Sequence, residues 1–187
     1  MNFITNGLGE MSLGTADRAA AIAEVKRALR VAVADDDDLI AAFAETALGL
    51  GERFLGRVLI VRAITERLAG SRCWQSLGTM PVMSITQVSA VAGDTVTPLA
   101  VDEYAIDLDA EANGWIRVPD GAGTIEVAYQ AGWIGGWDLI PAPVRQGIVL
   151  LTVHLYGLRD ASEPPPAAVT ALWRPFRAHA LTRAVRA

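Results

Sequence analysis

Apolar residues recur at spacings of three and four in four separate segments of the chain. This spacing places them along one face of a helix, so each segment is predicted to be helical and amphipathic. The first two helices are expected within residues 15–56 and the last two within residues 141–176. The positions that carry the pattern are Ile22, Val25, Leu29, Leu39, Phe43, Ala47, Leu50, Phe54, Val144, Ile148, Leu151, Leu155, Val169, Leu172 and Trp173.

Between residues 58 and 130 the pattern changes to the alternation that is typical of β-strands. Apolar and polar side chains alternate at Tyr104–Leu108 and at Ile125–Tyr129, and turns rich in Gly, Asn and Asp separate the runs. We expect four or five short strands, mostly antiparallel, because the connections are too short to cross over a sheet. The predicted fold class is therefore α+β, with a four-helix body and an antiparallel β-insert.

The segments outside these patterns set the predicted domain boundaries. Residues 1–14 show no apolar periodicity and are expected to form a flexible arm. Residues 15–177 are expected to form a single domain, and residues 178–187 a basic tail. A linker rich in Gly and Pro, residues 131–143, leads from the β-insert into the third helix.

The second predicted helix has two unusual features. Four consecutive carboxylates precede it: Asp35, Asp36, Asp37 and Asp38. Aspartates at a helix start cap free N–H groups and complement the positive end of the helix dipole, which favours a structural role over an acidic interaction or channel surface, and either over a metal site. Gly49 and Gly51 then fall inside the helix, at a cost of up to ~1 kcal/mol each relative to Ala, so we expect a neighbouring backbone to approach closely there.

Charge is distributed unevenly along the chain. The net charge is -5, which argues against a dedicated nucleic-acid binder with a basic surface. Residues 1–163 hold 12 basic and 21 acidic side chains, whereas residues 164–187 hold four arginines and no acid. Cys73 is the only cysteine, so no intrachain disulfide is expected, and the most apolar window falls short of the ~20 residues that a membrane span needs.

Catalytic motifs are not found in the sequence. It has no Gly-rich phosphate loop followed by Lys, no GxSxG, no HExxH and no CxxC. Neither an enzymatic activity nor a cofactor or metal is therefore expected. Two alternatives remain open: a small-molecule or catalytic pocket at the β-insert and the linker tryptophans Trp133 and Trp137, and direct DNA binding through the arginines of the tail.

Four stretches, in this order, resemble the head–tail connector (portal adaptor) family of tailed bacteriophages and phage-derived gene transfer agents. They are VKRALRVAVADDDDLIAAFAETALGLGERFLGRVL at Val25–Leu59, VAYQAGW at Val127–Trp133, IPAPVRQGIVLLTVHLYGLRD at Ile140–Asp160 and PPAAVTALWRPFR at Pro165–Arg177. The resemblance covers about residues 20–177. The glycine pair in the second helix departs from the family pattern.

The resemblance implies a structural virion protein. Members of the family form rings, generally of twelve subunits, at the head–tail junction below the portal, and they are assembled in the bacterial cytoplasm. The ring extends the channel through which DNA passes without sequence-specific binding. The implied partners are the portal protein, further copies of the chain and a downstream neck, stopper or tail protein.

The C-terminal region is the candidate contact with the portal or a neighbouring subunit. The candidate residues are Trp173, Arg174, Phe176, Arg177, Arg183 and Arg186. Arginines without acidic neighbours in their own segment are available to an acidic partner. For Trp173 a second interpretation is equally open, in which its ring closes the core of its own subunit.

Overall fold

The computed structural model describes residues 3–32, 34–119, 123–157 and 164–178. These residues fold into two compact units, and each unit is built from segments that are distant in the sequence. The helical unit comprises Leu8–Leu59 and Ile134–Ala178. The sheet unit comprises residues 3–7 and Ile60–Trp133.

The helical unit contains the four predicted helices. They are α1 (Thr15–Leu29), α2 (Asp37–Leu55), α3 (Ala142–Gly157) and α4 (Ala167–Trp173). α2 packs against the other three helices, and α3 packs against α1 and α4, so the four-helix body is confirmed. α4 ends two residues before Pro175, which lacks the N–H needed to continue the helix, and a 3-10 turn follows at Arg174–Phe176. None of the helices in the described part of the chain has the length and apolar character that crossing a membrane requires.

In the described residues, the sheet unit contains eight strands, and all of them pair antiparallel. They are β1 (Phe3–Thr5), β2 (Arg62–Ala69), β3 (Gln75–Ser76), β4 (Val82–Ala92), β5 (Thr95–Pro98), β6 (Ala105–Leu108), β7 (Gly114–Arg117) and β8 (Thr124–Ala131). One sheet has the strand order β1-β2-β8-β4-β5, and the other has the order β3-β7-β6. The α+β class is confirmed, and the insert between α2 and α3 holds seven strands where four or five were expected.

The N-terminal segment differs from the flexible arm that the sequence predicted. Phe3–Thr5 forms an edge strand that pairs antiparallel with Thr65–Arg67 of β2. The segment that follows lies along α2, where Glu52 Oε2 accepts the backbone N–H of Gly9 at 3.0 Å. A Cβ at Gly49 would lie 2.8 Å from the carbonyl oxygen of Gly9, so the close backbone approach expected at this glycine is observed. The prediction of a free arm is wrong, because its main chain has hydrogen-bonding partners in both units.

The sheet unit also buries a carboxylate. Glu66 Oε2 accepts hydrogen bonds from the Tyr129 hydroxyl at 3.0 Å and from the backbone N–H of Gly78 at 2.8 Å. Thr79 Oγ1 lies 2.5 Å from the same hydroxyl. Burial raises the pKa of the Tyr129 phenol, and the Glu66 carboxylate raises it further, so the phenol stays protonated and able to donate. These bonds fix the loop before β4 onto β2 and β8.

Candidate assembly surface

The run of aspartates lies at the start of α2, as the helix-start interpretation predicted. Asp36 precedes the helix, and Asp37 and Asp38 lie in its first turn. Three of the four carboxylates have partners on α1 or α3. The contacts are Asp36 Oδ2 with the Tyr156 hydroxyl at 2.5 Å, Asp37 Oδ1 with Lys26 Nζ at 2.7 Å and Asp38 Oδ1 with Arg18 Nη2 at 3.0 Å. The hydrogen bond that the Tyr156 hydroxyl donates to Asp36 raises the pKa of the Tyr156 phenol.

These contacts give the acidic run a structural role inside the helical unit. They join the N-terminal end of α2 to α1 and to α3. Asp35 and Asp38 are nevertheless exposed, so a further role as a channel or interface surface stays a prediction. Among the described residues, no group of three or more His, Cys, Asp or Glu side chains is placed to hold a metal ion.

Trp173 lies in the core of its own unit, so the interpretation that its ring closes the core is correct and the interpretation as an interface residue is wrong. Its side chain is 3% exposed, and its indole Nε1–H donates to the Val144 carbonyl at 3.0 Å. The indole occupies a slot between Gly51 of α2 and Gly147 of α3. A Cβ at Gly51 would come within 3.3 Å of the ring, and one at Gly147 would overlap Nε1. The ring also packs at a tilt on Phe54, with 5.8 Å between centroids.

The side chains that follow Trp173 remain at the surface. Arg174 and Arg177 are exposed, and Phe176 between them is half-buried. The Arg177 guanidinium lies 5.7 Å from the centroid of the Phe54 ring, a cation–π distance. We call Phe54, Arg174, Phe176 and Arg177 the C-terminal arginine surface. It holds two exposed arginines and two phenylalanines.

A backbone hydrogen bond attaches the end of this surface to α2. The backbone N–H of Ala178 donates to the Leu55 carbonyl at 2.8 Å, at the C-terminal end of α2. That end of a helix carries partial negative charge, which favours a nearby cation such as Arg177. Arg183 and Arg186, also predicted for the interface, lie outside the described residues.

A second exposed surface, on the sheet unit, was not identified from the sequence. The alternation at residues 104–108 correctly predicted a strand, β6, but its apolar face is open to solvent. Ile106 and Leu108 are 44% and 43% exposed, and Val101 just before the strand is 81% exposed. The reason is position, because β6 is an edge of the three-stranded sheet. Alternation alone does not distinguish an edge strand from a central one.

Trp137, one of the two tryptophans suggested to line a small-molecule pocket, cannot do so. Trp137 is fully buried in the helical unit. Its indole Nε1–H donates to Glu24 Oε2 at 3.0 Å, and its backbone N–H donates to Asp17 Oδ1 at 2.8 Å. The side chain therefore anchors the linker on α1 and is not available to a ligand.

Sequence comparison finds no relative, because no protein-family model and no curated protein sequence matches the chain. Solved structures do match. A chain from the neck of an empty gene transfer agent (GTA) particle, computed with C6 symmetry, superposes with a TM-score of 0.72 at 22% identity, over 98% of this chain and 100% of that chain. A chain from the virion of the native GTA particle gives 0.69 at 21% identity, over 100% of both chains.

A chain from the neck of the native GTA particle, computed with C12 symmetry, gives a TM-score of 0.66 at 24% identity, over 94% of this chain and 98% of that chain. This chain shares their fold. The resemblance seen in the four sequence stretches is thus confirmed at the level of the fold. At these identities the agreement lies in the order and packing of the elements, and it extends over nearly the full length of the chain.

Proposed function

We propose that this chain is a head–tail connector (portal adaptor) subunit of a phage-like particle. It forms part of the ring that joins the capsid to the tail and extends the DNA channel. The supporting observation is the full-length fold likeness to chains from the neck and virion of GTA particles. The role is structural and non-enzymatic, and its site of action is the head–tail junction of the particle.

The proposed assembly is a cyclic ring of twelve copies. The two neck structures with this fold were computed with C6 and C12 symmetry, and a twelve-fold ring is compatible with both operators. The portal lies on one side of the ring in this proposal, and the next neck, stopper or tail protein on the other. The net charge of -5 suits a channel in which DNA must slide, because Lys and Arg contacts to phosphates are what hold DNA tightly.

The C-terminal arginine surface is proposed to contact a protein partner, either the portal or a neighbouring subunit. Arg174 and Arg177 are exposed, and the hydrogen bond from the Ala178 N–H to the Leu55 carbonyl attaches the end of this segment to α2. A surface with two cations and two aromatic rings has the composition that protein interfaces favour.

Deleting the gene from a particle-producing strain tests this function. We expect DNA-filled heads without tails, counted by electron microscopy, and restoration of tailed particles when the full chain is supplied in trans. A second arm supplies the chain without Arg174–Ala187, which we expect to fold and yet to leave heads tail-less. Normal tailed particles from the deletion strain would show that the chain is not a connector.

A further inference from the structure

The segment from Val101 to Glu111 combines an apolar edge strand with a concentration of negative charge. It holds no Lys or Arg, and its five carboxylates are those of Asp102, Glu103, Asp107, Asp109 and Glu111. The exposed apolar side chains of Val101, Ile106 and Leu108 lie among them. We call Val101–Glu111 the acidic strand surface. Exposed edges with apolar side chains are places where a second polypeptide can dock.

Part of this charge maintains the shape of the surface. Asp109 Oδ1 accepts the backbone N–H of Asn113 at 2.8 Å, and Oδ2 accepts the Trp115 indole N–H at 2.9 Å. Glu103 Oε2 accepts the backbone N–H of Ala100 at 2.6 Å. Partial burial works to raise the pKa of Asp109, but the hydrogen bonds from Trp115, Asn113 and the Glu111 backbone outweigh it and hold that pKa below its ordinary value. Asp109 therefore stays ionised and holds the β6–β7 turn in one conformation.

Three of the five carboxylates belong to exposed residues. Asp102 and Glu111 are exposed, and Glu103 is exposed as well, although one of its oxygens serves the turn. Together with Ile106 and Leu108 they present anions around an apolar strip. The matching occupant is a surface that offers cations beside apolar or aromatic groups. The C-terminal arginine surface of the same chain has this composition, because it holds two exposed arginines and two phenylalanines, with Arg177 5.7 Å from the Phe54 ring centroid.

We propose that, in the ring, the acidic strand surface of one copy binds the C-terminal arginine surface of the next copy. This proposal rests on the proposed function. A cyclic ring with more than two members needs two different, mutually complementary surfaces on every subunit, because its contacts run head to tail. The two surfaces described here lie on different units of the chain and carry opposite charge, as such a contact requires.

Cysteine cross-linking in assembled particles tests the pairing. The background is Cys73→Ser, because Cys73 is an exposed free thiol. We expect a chain that carries both Leu108→Cys and Arg177→Cys to form a ladder of disulfide-linked multimers on non-reducing gels of purified particles. A strain that expresses the two single variants together should stop at dimers, since each chain then has one reactive position. Either single variant alone should remain monomeric.

Charge reversal gives an independent readout. Arg177→Glu should lower the yield of tailed particles roughly tenfold or more, because it opposes the carboxylates of the neighbour with a like charge. The matched control is Arg72→Glu, an equal charge change at an exposed arginine of the sheet unit, which should leave the yield unchanged. Adding Asp102→Arg to Arg177→Glu should restore much of the loss.

The outcomes separate this inference from the function on which it rests. Absence of the chain from particles would overturn the proposed function itself. If the chain is present but the double-cysteine variant gives no ladder, or if Arg177→Cys cross-links to another neck or portal protein, the proposed contact is wrong and the connector function stands. Failure of Asp102→Arg to rescue Arg177→Glu would also count against the contact.

Discussion

Replacing Gly147 by alanine tests whether the slot around Trp173 holds the C-terminal region on the helical body. A Cβ at this position would overlap Trp173 Nε1 and would come within 2.8 Å of Cδ1. The indole can relieve this overlap only by moving out of the slot. Such a movement breaks the hydrogen bond to the Val144 carbonyl and disturbs the packing on Phe54.

The expected change in unfolding free energy is the balance of three contributions. Alanine in place of glycine inside a helix stabilises by up to ~1 kcal/mol. Overpacking of a filled site costs about 1–3 kcal/mol. The lost hydrogen bond, which leaves the Trp173 indole N–H without its acceptor, costs about 1–3 kcal/mol more. The net effect of Gly147→Ala is therefore a destabilisation of roughly 1–6 kcal/mol.

The assay is urea unfolding followed by far-ultraviolet circular dichroism, with near-ultraviolet dichroism as a readout of the tryptophan environment. Gly157→Ala is the matched control, because Gly157 also lies in α3 and a Cβ there meets nothing within 4 Å. It should be neutral or stabilising. Combining Gly147→Ala with Trp173→Phe should recover part of the loss, since the smaller ring removes the overlap. If the Gly147→Ala protein were as stable as the Gly157→Ala control, the Trp173 indole would not fill the space beside Gly147.

Three further predictions concern other parts of the fold. Gly49→Ala should destabilise by about 1–3 kcal/mol in urea unfolding and speed hydrogen exchange at the Gly9 N–H, because the new Cβ meets the Gly9 carbonyl oxygen at 2.8 Å; unchanged exchange would contradict the close approach. Tyr129→Phe should cost about 1–3 kcal/mol, measured the same way, because Glu66 loses a buried donor. The pKa of Asp109 is lower in the folded protein than its ordinary value of 3.8. Its carboxylate therefore stabilises the fold at a pH above 3.8, and this stabilisation is lost as the pH falls through the pKa of the folded state. Asp109→Asn should therefore lower the melting temperature at neutral pH, and this difference should shrink progressively as the pH falls below about 4. A difference that does not shrink in acid would refute the assignment.

The sequence predicted the helices well because each has enough turns to show its period. Trp173 shows why packing could not be predicted in the same way. Apolar periodicity is equal for a residue in the core and one at an interface, and the choice depends on Gly51 and Gly147, which lie on other helices. The glycine pair in α2 was a visible signal, but the sequence does not state which groups approach it.

Short and terminal strands were missed for a related reason. β3 has two residues and β5 has four, too few positions to establish an alternation. Phe3–Thr5 becomes a strand only through its pairing with β2, about sixty residues away, so the local sequence does not predict this strand. The exposure of Ile106 and Leu108 likewise depends on strand order, which alternation does not encode.

The helical unit is built from two segments that are distant in the sequence, and this has a consequence during synthesis. Leu8–Leu59 leaves the ribosome first, and the partners of its apolar face, Ile134–Ala178, follow only after Ile60–Trp133 has been made. At about 5–20 residues per second this interval lasts roughly 4 to 15 seconds. During that time the side chains of α2 that later pack on α3 have no permanent cover. The nascent chain is then a substrate for chaperones, and slower translation of the sheet unit would lengthen that exposure.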